Sequence, residues 1–154
     1  MDTRPNGPVV VGVDGSANSR HALVRAGQHA RATGARLVVV HAIGLTEEID
    51  GEHVPTFGRR NEIATHLDRW CDAVREIGID DFDQQLIDGP PVDVLLRVAR
   101  DTDAGTIVIG RRGIGGRPEL LLGSTAHQVI EHSHCAVLVI PPPGNGDAAT
   151  STSA

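Results

Sequence analysis

The sequence predicts an α/β fold, a single parallel sheet with helices on both faces. Two observations carry that prediction. Five short β-branched, apolar runs alternate with four stretches of helical spacing, the signature of repeated strand–helix–strand units. Glycines also cluster where these runs end, at Gly12, Gly44, Gly89 and Gly110, and a Gly-Ser pair stands where a helix should begin, at Gly123-Ser124. At 154 residues the chain suits one domain with a sizeable core, expected over residues 1–143. No internal repeat is visible.

The elements follow in order. Residues 9–13 (VVVGV) form the first strand. Ala22, Leu23, Ala26 and Ala30 recur at helical spacing, and Ser16 stands where a helix cap belongs. Leu37–Ile43 is the second strand. Residues 44–57 read as an acidic, turn-rich loop, long for a compact domain. Ile63, Leu67, Trp70, Cys71 and Val74 mark one apolar face of a second helix. Residues 82–87 read as the third strand, 92–99 as a helix and 106–109 as the fourth strand. Ser124–His132 is the last helix and Ala136–Ile140 the fifth strand. Pro141-Pro142-Pro143 ends regular structure, and residues 144–154 are expected to be a disordered tail.

Composition narrows the function classes. A net charge of −6 argues against a nucleic-acid binder, which needs a basic face. The sequence contains no lysine; all fourteen basic residues are arginine. A P-loop needs a lysine on the phosphates and Schiff-base chemistry needs a lysine amine, so both classes are excluded. Two cysteines, Cys71 and Cys135, make no disulfide framework and fit a reducing compartment. Residues 1–7 hold no apolar stretch suited to a signal peptide, and no apolar run approaches the ~18 residues that would span a membrane. The expected location is the cytoplasm, with no membrane partner.

The strongest chemical signal is Gly110-Arg111-Arg112-Gly113, then nine residues that include Gly115 and Gly116, then Gly123-Ser124-Thr125. A strand precedes this segment and a helix follows it. Glycines let backbone N–H groups approach a ligand closely, and a helix N-terminus attracts anions, so this arrangement suits phosphate. Ser124 can cap the helix or donate its hydroxyl to a phosphate oxygen. Arg111, Arg112 and Arg117 add charge that can grip phosphate through paired N–H groups. Asp14, at the end of the first strand, can accept from a ribose hydroxyl or hold magnesium through water; the plainer role is to shape the turn before the helix.

This spacing, G-x2-G-x9-G-[ST], resembles that of the universal stress protein family. Val9-Val10-Val11-Gly12-Val13-Asp14-Gly15-Ser16 resembles that family's first strand and turn, and Gly89-Pro90-Pro91-Val92-Asp93 its third strand-to-helix junction. Cys135-Ala136-Val137-Leu138-Val139-Ile140-Pro141 resembles its last strand. The likeness spans roughly residues 8 to 141. It implies a Rossmann-like five-stranded parallel sheet in the order 3-2-1-4-5. In that order the turns after strands one, two and four converge on one crevice at the strand carboxyl ends, where open sheets of this kind bind ligands.

The resemblance further implies a regulatory protein of stress responses that binds ATP or another adenine nucleotide, with or without magnesium. Its binding residues are expected to be Gly12, Asp14, Ala42, Gly110, Arg111, Arg112, Gly113, Gly115, Gly116, Gly123, Ser124 and Thr125. Gly12 and Ala42 match positions whose backbones line the adenine pocket. Two departures stand out: Pro118-Glu119 lies where small residues are usual, and Ala126 stands where a hydroxyl residue is common.

No catalytic residue is expected. The alternatives are a slow ATPase or nucleotidyl-transfer enzyme, a binder of AMP or cyclic AMP, or a scaffold with an empty pocket. Asp88 follows the third strand as a receiver domain's phosphoacceptor would, but the lysine and paired acids of that class are missing. His127, His132 and His134 lack metal-ligand spacing, and Cys135 reads as a small strand residue. The fifth strand, Ala136–Ile140, is apolar throughout and unprotected as an edge, and a homodimer is expected to form across it.

Overall fold

The computed structural model describes residues 7–112 and 122–144. Its elements are β1 (Val9–Gly12), α1 (Ala17–Thr33), β2 (Leu37–Ile43), β3 (Thr46–Ile49), β4 (Glu52–Pro55), α2 (Arg60–Trp70), α3 (Asp72–Arg75), β5 (Asp83–Asp88), α4 (Pro91–Asp101), β6 (Thr106–Gly110), α5 (Ser124–His132) and β7 (Ala136–Ile140). Five strands form one sheet in the order β5-β2-β1-β6-β7, and every neighbouring pair is parallel. This is the predicted 3-2-1-4-5 order, with β5, β6 and β7 as the third, fourth and fifth strands of the sheet.

Side chains alternate across a strand, so each strand feeds two cores. Val9, Val11, Leu37, Val39 and Val108 face α1 and the α2–α3 segment, where Leu23, Ala26, Leu67 and Val74 meet them. Val10, Val38, Val40, Ile107 and Ile109 face α4 and α5, packing on Val94, Leu95, Val98, Ala126 and Val129. Strands buried on both faces explain the unbroken apolar runs of the sequence.

The predicted loop at residues 44–57 is instead a β-hairpin, β3 paired antiparallel with β4. Its two-residue turn is Asp50-Gly51, with φ of 53° and 84°. Two successive positive φ values make the turn whose twist matches a hairpin, and Asp-Gly is the pair that adopts it most readily. The second predicted helix is also divided. Ile63, Leu67, Cys71 and Val74 are all buried as expected, but the coil tightens at Cys71, whose carbonyl accepts from both Val74 and Arg75. Burial pushes the Cys71 thiol up to about 11, so it is an inert core group. Smaller shifts fall at element ends: β1 stops at Gly12, β5 starts at Asp83, and α4 starts at Pro91, which suits a first helical position.

The two sheet edges differ. On the β5 edge, Arg36 donates to both carboxylate oxygens of Asp83 at 2.7 and 2.6 Å, and Arg60 reaches Asp88 and the Leu86 carbonyl. The β7 edge carries only Ala136-Val137-Leu138-Val139-Ile140, with Leu138 37% exposed and Ile130 of α5 46% exposed.

Candidate functional site

The β1–α1 turn is built by short polar side chains. Asp14 Oδ1 accepts from the Ser16 N–H at 3.0 Å and from the Ser16 hydroxyl at 2.5 Å. Ser16 Oγ accepts in turn from the Ser19 N–H at 3.1 Å and so caps α1, as predicted. Gly15 has φ +82°, and a Cβ there would lie 2.6 Å from the Trp70 ring. Both facts require glycine at this point.

Across the sheet, the segment after β6 returns to α5. The Arg111 N–H donates to the Ile140 carbonyl at 2.8 Å, and the Arg111 carbonyl accepts from the Gly123 N–H at 2.7 Å. The second bond ties the residue after β6 to the residue before α5. A Cβ on Gly123 would stand 3.1 Å from the Arg111 carbonyl oxygen and 3.4 Å from Arg112 Cα, so close approach rather than positive φ selects glycine here. Gly123 is also the residue that caps α5, with no side-chain cap bond. The predicted capping role of Ser124 is thereby corrected: with Gly123 extended at the cap, Ser124 becomes the first helical residue and is exposed.

Between these two turns lies a crevice of about 110 Å³ at the carboxyl ends of β1, β2 and β6. Gly12, Val13 and Asp14 line it from β1, Val40, His41 and Ala42 from β2, and Ile109, Gly110 and Arg112 from β6. Pro91 and Leu95 of α4, Ser19 of α1 and Thr125 of α5 complete it. Of the twelve expected residues, the crevice brings together Gly12, Asp14, Ala42, Gly110, Arg112 and Thr125. Arg111, Gly123 and Ser124 stand beside it at the loop base rather than in its lining. Gly113, Gly115 and Gly116 lie outside the described residues, as do Arg117, Pro118 and Glu119. Thr125 of α5 lines the crevice, whereas Ala126 is buried in the core against α4.

The lining is apolar at Val13, Val40, Ala42, Leu95 and Ile109 and polar at Asp14, Ser19, His41, Arg112 and Thr125, and Thr125 belongs to the first turn of α5. The first N–H groups of a helix have no partner within it. Nearby, Arg111 Nε is buried with no hydrogen-bond partner among the described residues. Such a helix end accepts anions, and the apolar lining suits a flat heterocycle.

Sequence reasoning missed His41. It is 3% exposed and lines the crevice, with Nδ1 2.7 Å from the Val13 carbonyl oxygen and Nε2 2.5 Å from Glu47 Oε1. Trp70 packs on it edge to face, with centroids 5.0 Å apart and planes at 89°. A histidine within the apolar run Leu37–Ile43 was the available signal, since a buried imidazole needs partners on both nitrogens. Elsewhere, Asp88 is exposed and paired with Arg60. Among the described residues no three His, Cys, Asp or Glu side chains gather as a metal site, and no helix is long and apolar enough to cross a membrane.

A parallel sheet of this order with a crevice at its switch point defines a class of ligand-binding α/β proteins. The sequence model of the universal stress protein family matches residues 5–141, and the chain belongs to that family. It is similar to a universal stress protein encoded in the QAH/OAS sulfhydrylase 3′ region of Thermus aquaticus, 34% identical over 136 residues, which cover 86% of this chain and 96% of that protein. A universal stress protein solved in complex with cAMP is 30% identical, with a TM-score of 0.71 over 90% of this chain and 98% of that one. The universal stress protein of Archaeoglobus fulgidus solved in complex with dAMP is 26% identical, with a TM-score of 0.65 over 86% of this chain and 96% of that one.

Proposed function

We propose that the protein binds an adenine nucleotide, ATP or a relative of it, in the crevice at the carboxyl ends of β1, β2 and β6, and acts as a regulatory binding protein of stress responses. The observation that carries this reading is one crevice lined both by apolar residues and by Arg112 and Thr125, the latter in the first turn of α5. Two similar universal stress proteins, solved with cAMP and with dAMP, support adenine as the base.

In this reading Gly12, Val13, Val40 and Ala42 surround the base, and Asp14 accepts from a ribose hydroxyl. The phosphates meet Arg112, Thr125, the α5 N-terminus and the loop closed by Arg111 and Gly123, with Ser124 and the glycines 113, 115 and 116 as backbone donors. A magnesium ion carried with a triphosphate would find its oxygen donor at Asp14. The test is mass spectrometry of small molecules released from the purified protein, followed by calorimetry with ATP, ADP, AMP and cAMP. No heat with any of them refutes the reading. Release of inorganic phosphate from ATP would favour the enzymatic alternative.

A second reading concerns assembly. Among the described residues β7 is an apolar edge strand, in contrast to the arginine-clamped β5 edge, which supports a homodimer formed by β7 pairing with its mate.

A further inference from the structure

His41 is a buried titratable group that nucleotide binding as described leaves unused. Both its ring nitrogens face oxygens: the Val13 carbonyl at 2.7 Å and the Glu47 carboxylate at 2.5 Å. A carbonyl oxygen only accepts, and so does an ionised carboxylate. A neutral imidazole carries one N–H, so it can satisfy one of these contacts and would set lone pair against lone pair in the other. With Glu47 ionised, the observed geometry therefore calls for an imidazolium donating from both nitrogens, with Glu47 as its counter-charge, at side-chain exposures of 4% and 14%.

The pair joins three pieces of structure. His41 sits on β2, Val13 just beyond β1, and Glu47 on β3. The hairpin β3–β4 is a two-stranded sheet of its own. A lone two-stranded hairpin is marginal in water, so its fastenings matter. At its feet the Thr56 hydroxyl donates to the Gly44 carbonyl at 2.8 Å. Among the described residues, Glu47 to His41 is the side-chain hydrogen bond that ties its strands to the main sheet.

We propose that His41 and Glu47 form a proton-held lock that fastens the hairpin and positions the Val13–Asp14 wall of the crevice, so that nucleotide binding requires the proton. This rests on the nucleotide reading above. Burial opposes the charge on His41. The hydrogen bond and charge of Glu47, the Val13 carbonyl and the charge of Asp14 outweigh it and raise the ring above the ordinary histidine value of 6.5. A group raised in the folded state stabilises fully below its unfolded value, and the contribution is lost as pH rises through the folded value. The lock is thus closed at and below pH 6.5 and opens on the alkaline side. Glu47 and Asp14 are the acids acting on the ring, α2 presents the uncharged Trp70, and Arg112 lines the same crevice.

Trp70 is the sole tryptophan of the chain and touches His41, so it reports the proton without any ligand, because imidazolium quenches indole emission. In nucleotide-free protein, emission should rise with pH in one step whose midpoint lies above 6.5. In Glu47→Gln the amide can donate to a neutral ring, so burial governs and the midpoint should fall below 6.5. Nitrogen NMR of the unmutated protein at pH 6 should show both His41 nitrogens protonated, whether or not the variant folds. Calorimetry with ADP should give an affinity that falls toward tenfold per pH unit above the Trp70 midpoint, with proton uptake on binding. Glu47→Gln should bind with little pH dependence.

A neutral His41 at pH 6, or a Trp70 midpoint unmoved by Glu47→Gln, overturns the lock. Equal pH dependence of ADP binding in both proteins overturns its coupling to the site. ADP binding to neither protein at any pH, with the Trp70 step intact, overturns the nucleotide reading and the coupling together and leaves the hairpin lock standing.

Discussion

Replacing Asp14 separates what it does for the turn from what it does for a ligand. Its Oδ1 accepts two hydrogen bonds from Ser16, at 3.0 and 2.5 Å, and Ser16 caps α1. Asp14→Asn keeps an acceptor of the same shape and removes the charge. A hydrogen bond to a charged group contributes about 1.5–3 kcal/mol and a neutral one about 0.5–1.5. Weakening two half-buried bonds should therefore cost roughly 1–2 kcal/mol, a fall in Tm of about 2–8 °C for a chain of this size. Asp14→Ala removes both acceptors and unsettles the cap, for roughly 2–4 kcal/mol. If the carboxylate also holds a ribose hydroxyl, Asp14→Ala should weaken ADP binding by about 10- to 150-fold, with Asp14→Asn between it and the unmutated protein. Scanning calorimetry gives the first quantity and titration calorimetry at 10 °C, with all variants folded, the second. Lower melting with unchanged affinity in both variants would show that Asp14 serves the turn alone.

Three other substitutions probe the frame around the crevice. Gly123→Val puts a branched side chain 3.1 Å from the Arg111 carbonyl oxygen and should open the loop base, weakening ADP binding at least tenfold in titration calorimetry while circular dichroism stays unchanged. Gly15→Ala meets both a φ of +82° and the Trp70 ring at 2.6 Å, and should lower Tm by about 5–10 °C, from roughly 2–3 kcal/mol of strain and overlap. Leu138→Lys places a charge on the apolar β7 edge and should convert a dimer to a 16.2 kDa monomer in light scattering at tens of micromolar; a monomer before mutation would refute the dimer.

The sheet was legible because its signals are local and repeated. Strands read as unbroken apolar runs, Leu37–Ile43 because it is buried on both faces and Ala136–Ile140 although it lies at the edge, and the helices between them carry their own spacing, so these strands and Ser124–His132 stand where the pattern puts them. The hairpin escaped because its strands, Thr46–Ile49 and Glu52–Pro55, are polar and mostly exposed, so no hydrophobic period marks them. The Asp50-Gly51 turn was their one visible sign. The division of the second helix at Cys71 left no mark in the sequence, since the apolar face runs through it unchanged. Strand order cannot be read from periodicity and came from family resemblance.

The crevice has two ends that depend on sequence in different ways. At the α5 end the described contacts are made by backbone: the Arg111 N–H donates to the Ile140 carbonyl, the Arg111 carbonyl accepts from the Gly123 N–H, and Gly123 stands close against Arg111 and Arg112. Of the glycine motif, Gly110 and Gly123 are the described members, and both stand at this end. The β2 end is built from side chains meeting across long separations. His41 reaches Val13 twenty-eight positions earlier and packs on Trp70 from α2, and Glu47 comes from a hairpin that the sequence hides. No spacing rule announces such a meeting. Backbone geometry of the first kind can serve any phosphate-bearing ligand, because every phosphate accepts the same N–H groups. The His41 end adds what glycine spacing does not encode: in the proposed lock, a buried charge that depends on one proton and one glutamate. Glu47→Gln is accordingly the substitution that should leave phosphate affinity near neutral pH almost intact and change how the protein answers to pH.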